Sequence, residues 1–396
     1  MQRLEKRQIG PHCILACLYF LLLPTTIAVN SSGNSILKLA TIPIGLYFLI
    51  TMILSNRKLQ INGVHLALLL YTLSVVVTLF FDVGSLSVDF VFGYILNAAL
   101  YICLTVIPYN KAELKLMESV QIVLLVILNI MTLFFSGTED GRTTLVIMGQ
   151  TCDPNYFVGF FIFPLTVALK QAVSGKHRIL CLALIAVSMY CVFLSGSRGG
   201  ILAIAVTIAG FALLYPSGMI KRVLFLFGGL AILLVLWTVL KPILPENIVE
   251  RMSVEDVLET AGTGRLDIWS SMIKEIVDQP ERLLLGRGIN ALHGIFVNGS
   301  WRQVAAHNHL LQTLYNQGLV GLLFFLTLAG ICFFRCCKRR KTVAIAIIGM
   351  MALSVSLSFN QTSRTFWNLI AYAAFAFPDN HTTTDDHGGL ADNECI

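Results

Sequence analysis

Charge is what this sequence has least of. Only 13% of its 396 residues are Asp, Glu, Lys or Arg, 56% are apolar, and the mean hydropathy is +0.77. Soluble domains carry about 25% charged residues, so a soluble globular protein is excluded. A secreted disulfide scaffold is excluded as well, because it would be short and cysteine-dense. The ten cysteines have no metal-ligand spacing. Six of them (13, 17, 103, 181, 191 and 332) fall inside apolar runs, where cysteine behaves as a small hydrophobe, and only Cys152 falls near an outer loop. Neither a disulfide, a metal site nor a cofactor is expected. The net charge is +6, yet no basic stripe with interleaved aromatics accompanies it, so nucleic acid is not an expected partner. Carboxylates are missing from the centres of the apolar runs, since Asp89 and Glu118 lie near run ends. Ion-coupled transporters keep such groups at mid-membrane, so transport loses support. Walker-type loops, internal repeats and low-complexity stretches are absent too.

What is present is a series of long apolar runs. A membrane helix needs roughly 20 mostly apolar residues. By that measure the chain is an all-α polytopic membrane protein with about twelve spans, near 12–30, 35–54, 61–81, 88–107, 116–135, 154–173, 178–195, 199–215, 220–240, 316–335, 342–359 and 364–378. No small-residue cleavage site follows the first run, so it is expected to be a span and not a leader. Lys and Arg in short loops set orientation. With the N-terminus inside, seventeen of them fall in the N-terminal tail and inner loops, among them Arg57, Lys58, Lys111, Lys115, Lys170, Lys221 and the Arg335–Lys341 cluster. Only Arg142, Arg198 and Arg364 fall in short outer loops. The bias predicts a multi-pass membrane protein with both termini cytoplasmic.

The expected organisation is helices 1–9 over 1–240, an outer domain over 241–315, helices 10–12 over 316–378, and a disordered acidic tail over 379–396. A connection as long as 241–315 is usually functional or disordered. Leu266, Trp269, Met272, Ile273 and Ile276 recur within it at helical spacing, and Pro280 follows. This predicts an ordered helical domain lying on the membrane.

Polar residues gather at the expected outer face in four clusters. Ser195-Gly196-Ser197-Arg198-Gly199-Gly200 is either a tight turn with a snorkelling arginine or an anion site, where glycine lets backbone approach a phosphate and arginine grips it bidentately. Thr263-Gly264-Arg265-Leu266-Asp267-Ile268-Trp269 opens the outer helix. An arginine in a first turn opposes the helix dipole, and a bound anion would offset that cost; the alternative is a surface arginine paired with Asp267 or Glu259. Arg287, in Leu285-Gly286-Arg287-Gly288, and Arg302 are weaker anion candidates. Ala306-His307-Asn308-His309 opens a span. At a helix N-terminus the dipole keeps an imidazole neutral, which suits a general base for a hydroxyl; the alternative is a helix cap with Asn308 as the capping residue. His309 and His293 rank below His307. In Cys152-Asp153-Pro154-Asn155-Tyr156-Phe157, Asp at N-cap and Pro at N1 make a standard helix start, and a carboxylate serving the site is the other option.

The order of SGSRGG at 195–200, TGRLDIW at 263–269 and AHNHLLQTLYNQGLVG at 306–321 around one long outer loop resembles the O-antigen ligase and O-antigen polymerase superfamily of bacterial membrane glycosyltransferases. DPNYF at 153–157 is similar to polymerase-like members. The resemblance implies a fold like the metal-independent class C glycosyltransferases and an oligosaccharide donor on undecaprenyl pyrophosphate. It implies that Arg198 and Arg265, and more weakly Arg287, bind the pyrophosphate and that His307 acts as general base on the acceptor hydroxyl; Asp153 and Asn308 are supporting candidates on their own residue types and positions. The acceptor would be a glycan or a lipid, with membrane lipids as further partners. Polymerisation of surface polysaccharide repeats is expected ahead of ligation to a lipid or other acceptor. A lipid-oligosaccharide flippase is the rival from another class. It accounts for the spans and leaves the outer domain unexplained, and the pseudo-symmetric halves common in transporters are not evident.

Overall fold

The computed structural model describes residues 9–27, 36–54, 58–81, 85–139, 141–147, 149–175, 177–216, 218–253, 265–297, 300–357 and 364–375. Among them, nine helices precede the long connection: α1 Pro11–Leu21, α2 Ile36–Leu54, α3 Gly63–Val77, α4 Ser85–Val106, α5 Lys111–Phe134, α6 Pro154–Ser174, α7 Arg178–Leu194, α8 Arg198–Leu214 and α9 Met219–Leu240. The short α10 (Glu246–Arg251) and α11 (Arg265–Asp278) follow, and then α12 (His309–Cys337), α13 (Lys341–Leu353) and α14 (Arg364–Ala374). Every expected apolar run carries a helix. Six helical stretches are long and apolar enough to cross a membrane, at 63–80, 87–106, 111–134, 154–174, 219–243 and 309–337; five others are shorter apolar helices. The structure therefore supports a mostly helical protein with six candidate crossing helices, and twelve crossings stay an expectation. The tail 379–396 lies outside the described residues.

Helix α6 is the centre of the bundle. Phe157, Phe161, Ile162, Leu165, Val167 and Ala168 are all buried, although the helix contains Pro164. Helix α9 is the opposite case, an apolar helix with no buried residue. A helix that is apolar all round needs an apolar surround, so its chemistry demands lipid.

Polar side chains fix one end of the bundle. Asn110 and Glu113 form a capping box on α5, and Glu113 also accepts from the Gly10 amide at 2.9 Å. Arg335 Nε donates to Ala373 O at 3.0 Å and Arg340 Nη1 to Tyr372 O at 2.5 Å. The basic cluster thus caps the last carbonyls of α14, where cations favour the helix dipole. At the other end of α14, Arg364 departs from its expected place in an outer loop. It is the first residue of the helix and only 8% exposed, because α14 is short and starts inside the bundle.

Two small sheets were not expected. β1 (Ser136–Glu139), β2 (Arg142–Ile147) and β3 (Gln150–Thr151) form an antiparallel meander between α5 and α6. β4 (His293–Val297) and β5 (Ser300–Val304) form a hairpin in the outer segment. Helix α11 forms where the periodicity predicts and ends before Pro280. Its inner face is Met272 and Ile276, which pack with Ala306 and Tyr315 in a separate small core. Leu266 and Ile273, part of the expected apolar stripe, are exposed.

Candidate active site at the converging helix starts

Three helix starts meet through polar side chains. Asp153 caps α6, its Oδ1 accepting from the amides of Asn155 at 2.7 Å and Tyr156 at 3.3 Å, as Asp-Pro predicts. The buried Asn155 Oδ1 accepts from Ser197 Oγ at 2.5 Å, and the same Oγ accepts from the Gly200 amide at 3.0 Å to cap α8. A capping network therefore ties DPNYF to SGSRGG. The glycines have packing roles. Gly196 takes φ +56 in the turn. A Cβ at Gly199 would lie 2.0 Å from Ser356 Oγ, and one at Gly200 would lie 2.6 Å from Val158 Cγ2. These glycines bring helices together, in keeping with the tight-turn reading of this stretch.

Arg198 is the half-buried first residue of α8. Its Nε donates to Arg251 O at 2.8 Å, and Arg251 Nε donates to Gly196 O at 3.0 Å. This reciprocal clasp fixes α10 against the turn. Arg142, at the start of β2, packs on the same turn, its Cγ 3.2 Å from where a Cβ of Gly196 would stand.

The second half comes from the long connection between α9 and α12. Arg265 is the first residue of α11; Thr263 and Gly264 lie outside the described residues. Trp269 Nε1 donates to Ala306 O at 2.7 Å. Ala306 N in turn donates to Gln312 Oε1 at 2.7 Å. His307 follows in the left-handed region at φ +47, which costs a non-glycine residue roughly 1–2 kcal/mol. Asn308 caps α12, accepting from Leu310 N at 3.1 Å and Leu311 N at 3.2 Å. His309 is buried against Phe325, and its amide donates to Ser354 O at 2.7 Å. The backbone on both sides of His307 is thus fixed, while His307 itself stays on the surface.

Electrostatics join the two halves. Burial lowers the pKa of the Arg265 guanidinium; Asp153 raises it, and Arg142 and Arg198 lower it further. For His307, the protein packed around the ring lowers the pKa most, Arg265 lowers it further, and Asp153 opposes both. His307 is open to solvent on one side, yet its charged form is still disfavoured, so near neutral pH the ring is an unprotonated base. Arg265 is thus the shared neighbour: Asp153, Arg198, Arg142 and His307, from separate stretches of the sequence, all lie within its electrostatic reach, and Asp153 also acts on His307.

Arg287 is engaged elsewhere. Its Nε lies 3.2 Å from Glu275 Oε1, its Nη2 donates to Glu275 O at 2.9 Å, and its guanidinium stands 4.5 Å over the Tyr315 ring. Glu275 also accepts from Tyr315 Oη at 3.0 Å and meets His293 Nδ1 at 2.6 Å, while His293 Nε2 meets Ser271 Oγ at 2.8 Å. The chain of Ser271, His293 and Glu275 has triad-like connectivity. Ser271 lies inside α11, however, where the helical backbone has its amides bonded and supplies no oxyanion donors. Arg287 and His293 are internal braces of the outer segment. Arg302 falls in β5.

Sequence reasoning missed Arg142 and Arg251. In the sequence Arg142 counts only as a loop charge, although the Asp140-Gly141 step before it is a hairpin signal. Arg251 acts through backbone carbonyls, which leave no side-chain pattern to read. Beside Asn308, a groove of about 300 Å³ is lined by Trp269, Ile273, Leu310, Leu311, Leu314 and Leu322.

Residues 182–326 match the family model described as O-antigen ligase. The match spans Arg198, Arg265, Arg287, His307 and Asn308 and bears out the superfamily that the motifs resemble. No curated protein shows a significant match to the chain.

Proposed function

We propose, from the O-antigen ligase and polymerase superfamily to which residues 182–326 point, that this protein is an inverting, metal-independent membrane glycosyltransferase. Its donor would be an oligosaccharide on undecaprenyl pyrophosphate, and its site would face outward from the bacterial plasma membrane with both termini inside. The observation that carries this reading is the position of Arg265, which has Arg198, Arg142, Asp153 and a base-form His307 within its electrostatic reach.

A glycosyl pyrophosphate is already activated, so the chemistry needs a base on one side and cations on the other. His307 takes the proton from the acceptor hydroxyl. The freed oxygen forms its bond to the anomeric carbon from the face opposite the pyrophosphate. The bond from that carbon to the pyrophosphate oxygen breaks, and its electron pair leaves with the lipid pyrophosphate. Arg198 and Arg265, with Arg142 beside them, stabilise that charge where preorganised cations contribute most and take the role a metal has in other enzymes. The imidazolium then returns its proton to water. Asp153 moderates the cationic field and starts α6, and Asn308 holds the helix start next to the base. Arg287 moves from the pyrophosphate ligands to the structural braces.

The capping bond between Asn155 and Ser197 ties DPNYF to the Arg198 turn, and the similarity of DPNYF to polymerase-like members supports a polymerase extending lipid-linked repeats. The matching model is described as a ligase, and this favours the second reading, transfer to a lipid or other acceptor. Reconstitution in liposomes with a lipid-pyrophosphate oligosaccharide as the only sugar substrate tests both. A ladder of longer lipid-linked glycans that is lost in His307→Ala establishes the polymerase. Product that forms only after a separate acceptor is added establishes the ligase. Product that persists in His307→Ala removes the proposed base.

A further inference from the structure

The superfamily reading does not use Arg364, and Arg364 is the most deeply buried cation that the described bundle leaves without a carboxylate. It stands at the first position of α14 and is more than nine-tenths buried. Nη1 donates to Tyr19 Oη on α1 at 2.9 Å and to Thr41 Oγ1 on α2 at 2.8 Å. Tyr19 Oη donates onward to Tyr101 Oη on α4 at 3.3 Å, and the Tyr101 ring stacks on Trp367 one turn along α14. Four helices therefore hold the guanidinium in one pose.

The pose uses one corner only. Nε is buried with no hydrogen-bond partner, and among the described residues nothing accepts from Nη2. In arginine, the Nε–H and one Nη2–H point the same way. They form the side-on fork that matches two oxygens of a phosphate or carboxylate. Among the described residues, that fork is the part left open. Two energetic arguments point the same way. A buried cation is retained only when paired, yet its two partners are neutral hydroxyls. A cation at a helix N-terminus is also opposed by the helix dipole, while an anion there is favoured. Nor do the residues that hold Arg364 belong to the candidate active site, which is built from α6, α8, α11, the start of α12 and β2.

We infer that the Nε/Nη2 fork of Arg364, framed by Tyr19, Thr41 and Tyr101, is a second oxyanion site that binds a phosphate group. The inference goes beyond the transferase reading and does not depend on it. The phosphate is either free or carried by a lipid. The lipid source has an approach, because Leu39, Ile42 and Leu46 around Thr41 present an exposed apolar face of α2.

The test uses the full chain carrying Arg198→Gln and Arg265→Gln, so that phosphate binding at the outer arginines does not contribute. Inorganic phosphate is titrated in detergent while Tm is followed, with chloride at equal ionic strength as control. Phospholipid retained from phosphatidylglycerol nanodiscs is counted by native mass spectrometry. The same is done with Arg364→Lys added, which keeps a cation for Tyr19 and Thr41 and removes the fork. The expected result is a saturable rise in Tm with phosphate, a specifically retained phospholipid, or both, weakened about tenfold or more by the lysine. A phosphate response identifies the free source and lipid retention the lipid source. Equal binding with and without Arg364→Lys overturns the site, as does the absence of any response to both probes. Arg364→Gln is a further variant; if it fails to fold, the lysine comparison still decides.

Discussion

The indole N–H of Trp269 donates to the carbonyl oxygen of Ala306 at 2.7 Å, so the helix that begins with Arg265 is bonded to the residue before His307. One side chain thereby sets the spacing between the proposed leaving-group cation and the proposed base. Trp269→Phe keeps most of the ring packing and deletes the donor. Its expected stability cost is about 1 kcal/mol, while kcat falls at least tenfold because a small misplacement of a catalytic group is costly. Thermal unfolding and turnover measured together check this. A full kcat would mean that the bond only supports the fold.

The pH dependence of turnover should carry the signature of His307. Its pKa lies below the usual 6.5 because of burial and Arg265, with Asp153 opposing. Activity should therefore be flat through neutral pH and fall only as acid protonates the ring below that value. Arg265→Gln removes a repulsion and should move the acidic limb to higher pH. Asp153→Asn removes an attraction and should move it lower. Opposite shifts in the two variants, measured as kcat/KM against pH, are the decisive pattern.

Arginine should not be replaceable by lysine at the outer site. Arg198→Lys and Arg265→Lys keep the charge and lose the planar fork. Losing one preorganised donor typically costs about 10²–10³ in rate, and each variant is expected to fall in or below that range. Full activity in both would remove their pyrophosphate role.

Arg287 gives the contrasting result. Arg287→Gln leaves Glu275 partly exposed but without its cation, and removes the stacking on Tyr315. The expected loss is on the order of 1–2 kcal/mol of stability, with KM for the lipid donor nearly unchanged. A large rise in KM at unchanged Tm would return Arg287 to the substrate site.

Gly286→Ala should be the most damaging small change in the outer segment. Gly286 has φ +78, and a Cβ there would stand 2.2 Å from the backbone oxygen of Asn316. Backbone atoms cannot turn aside as a flexible side chain can, so loss of folded protein is expected, read as membrane yield after mild solubilisation.

Much of this was legible in the sequence because helices announce themselves. Apolar runs located every helix of the bundle, Asp153-Pro154 and Asn308 were readable as caps, and Pro280 marked the end of α11. The strands were less visible. β2 is rich in β-branched residues, with Thr143, Thr144, Val146 and Ile147, but at six residues it is easily absorbed into a loop between spans. Asn298-Gly299 is a strong hairpin signal, and it lay inside a segment judged by its helical periodicity. Arg364 was misplaced for a different reason. Loop charge counting takes the start of an apolar run as a boundary with water, and here the neighbouring helices bury that start. Contacts to backbone carbonyls, such as the clasp of Arg198 and Arg251, depend on the folded path and have no signature in residue type.

Helix α12 is interrupted at Gly318, with φ +68 and ψ −167. The break is occupied by the strand of chain around Arg287. Leu319 N donates to Leu283 O, Val320 N to Leu284 O, and Arg287 N to Tyr315 O. The stretch from Leu283 to Arg287 is therefore sewn by its main chain into a bundle helix. It is a buttress, and it cannot swing as a lid without breaking several backbone bonds at once. Traffic through the site would have to run along a standing wall, with the glycan chains moving past a fixed His307.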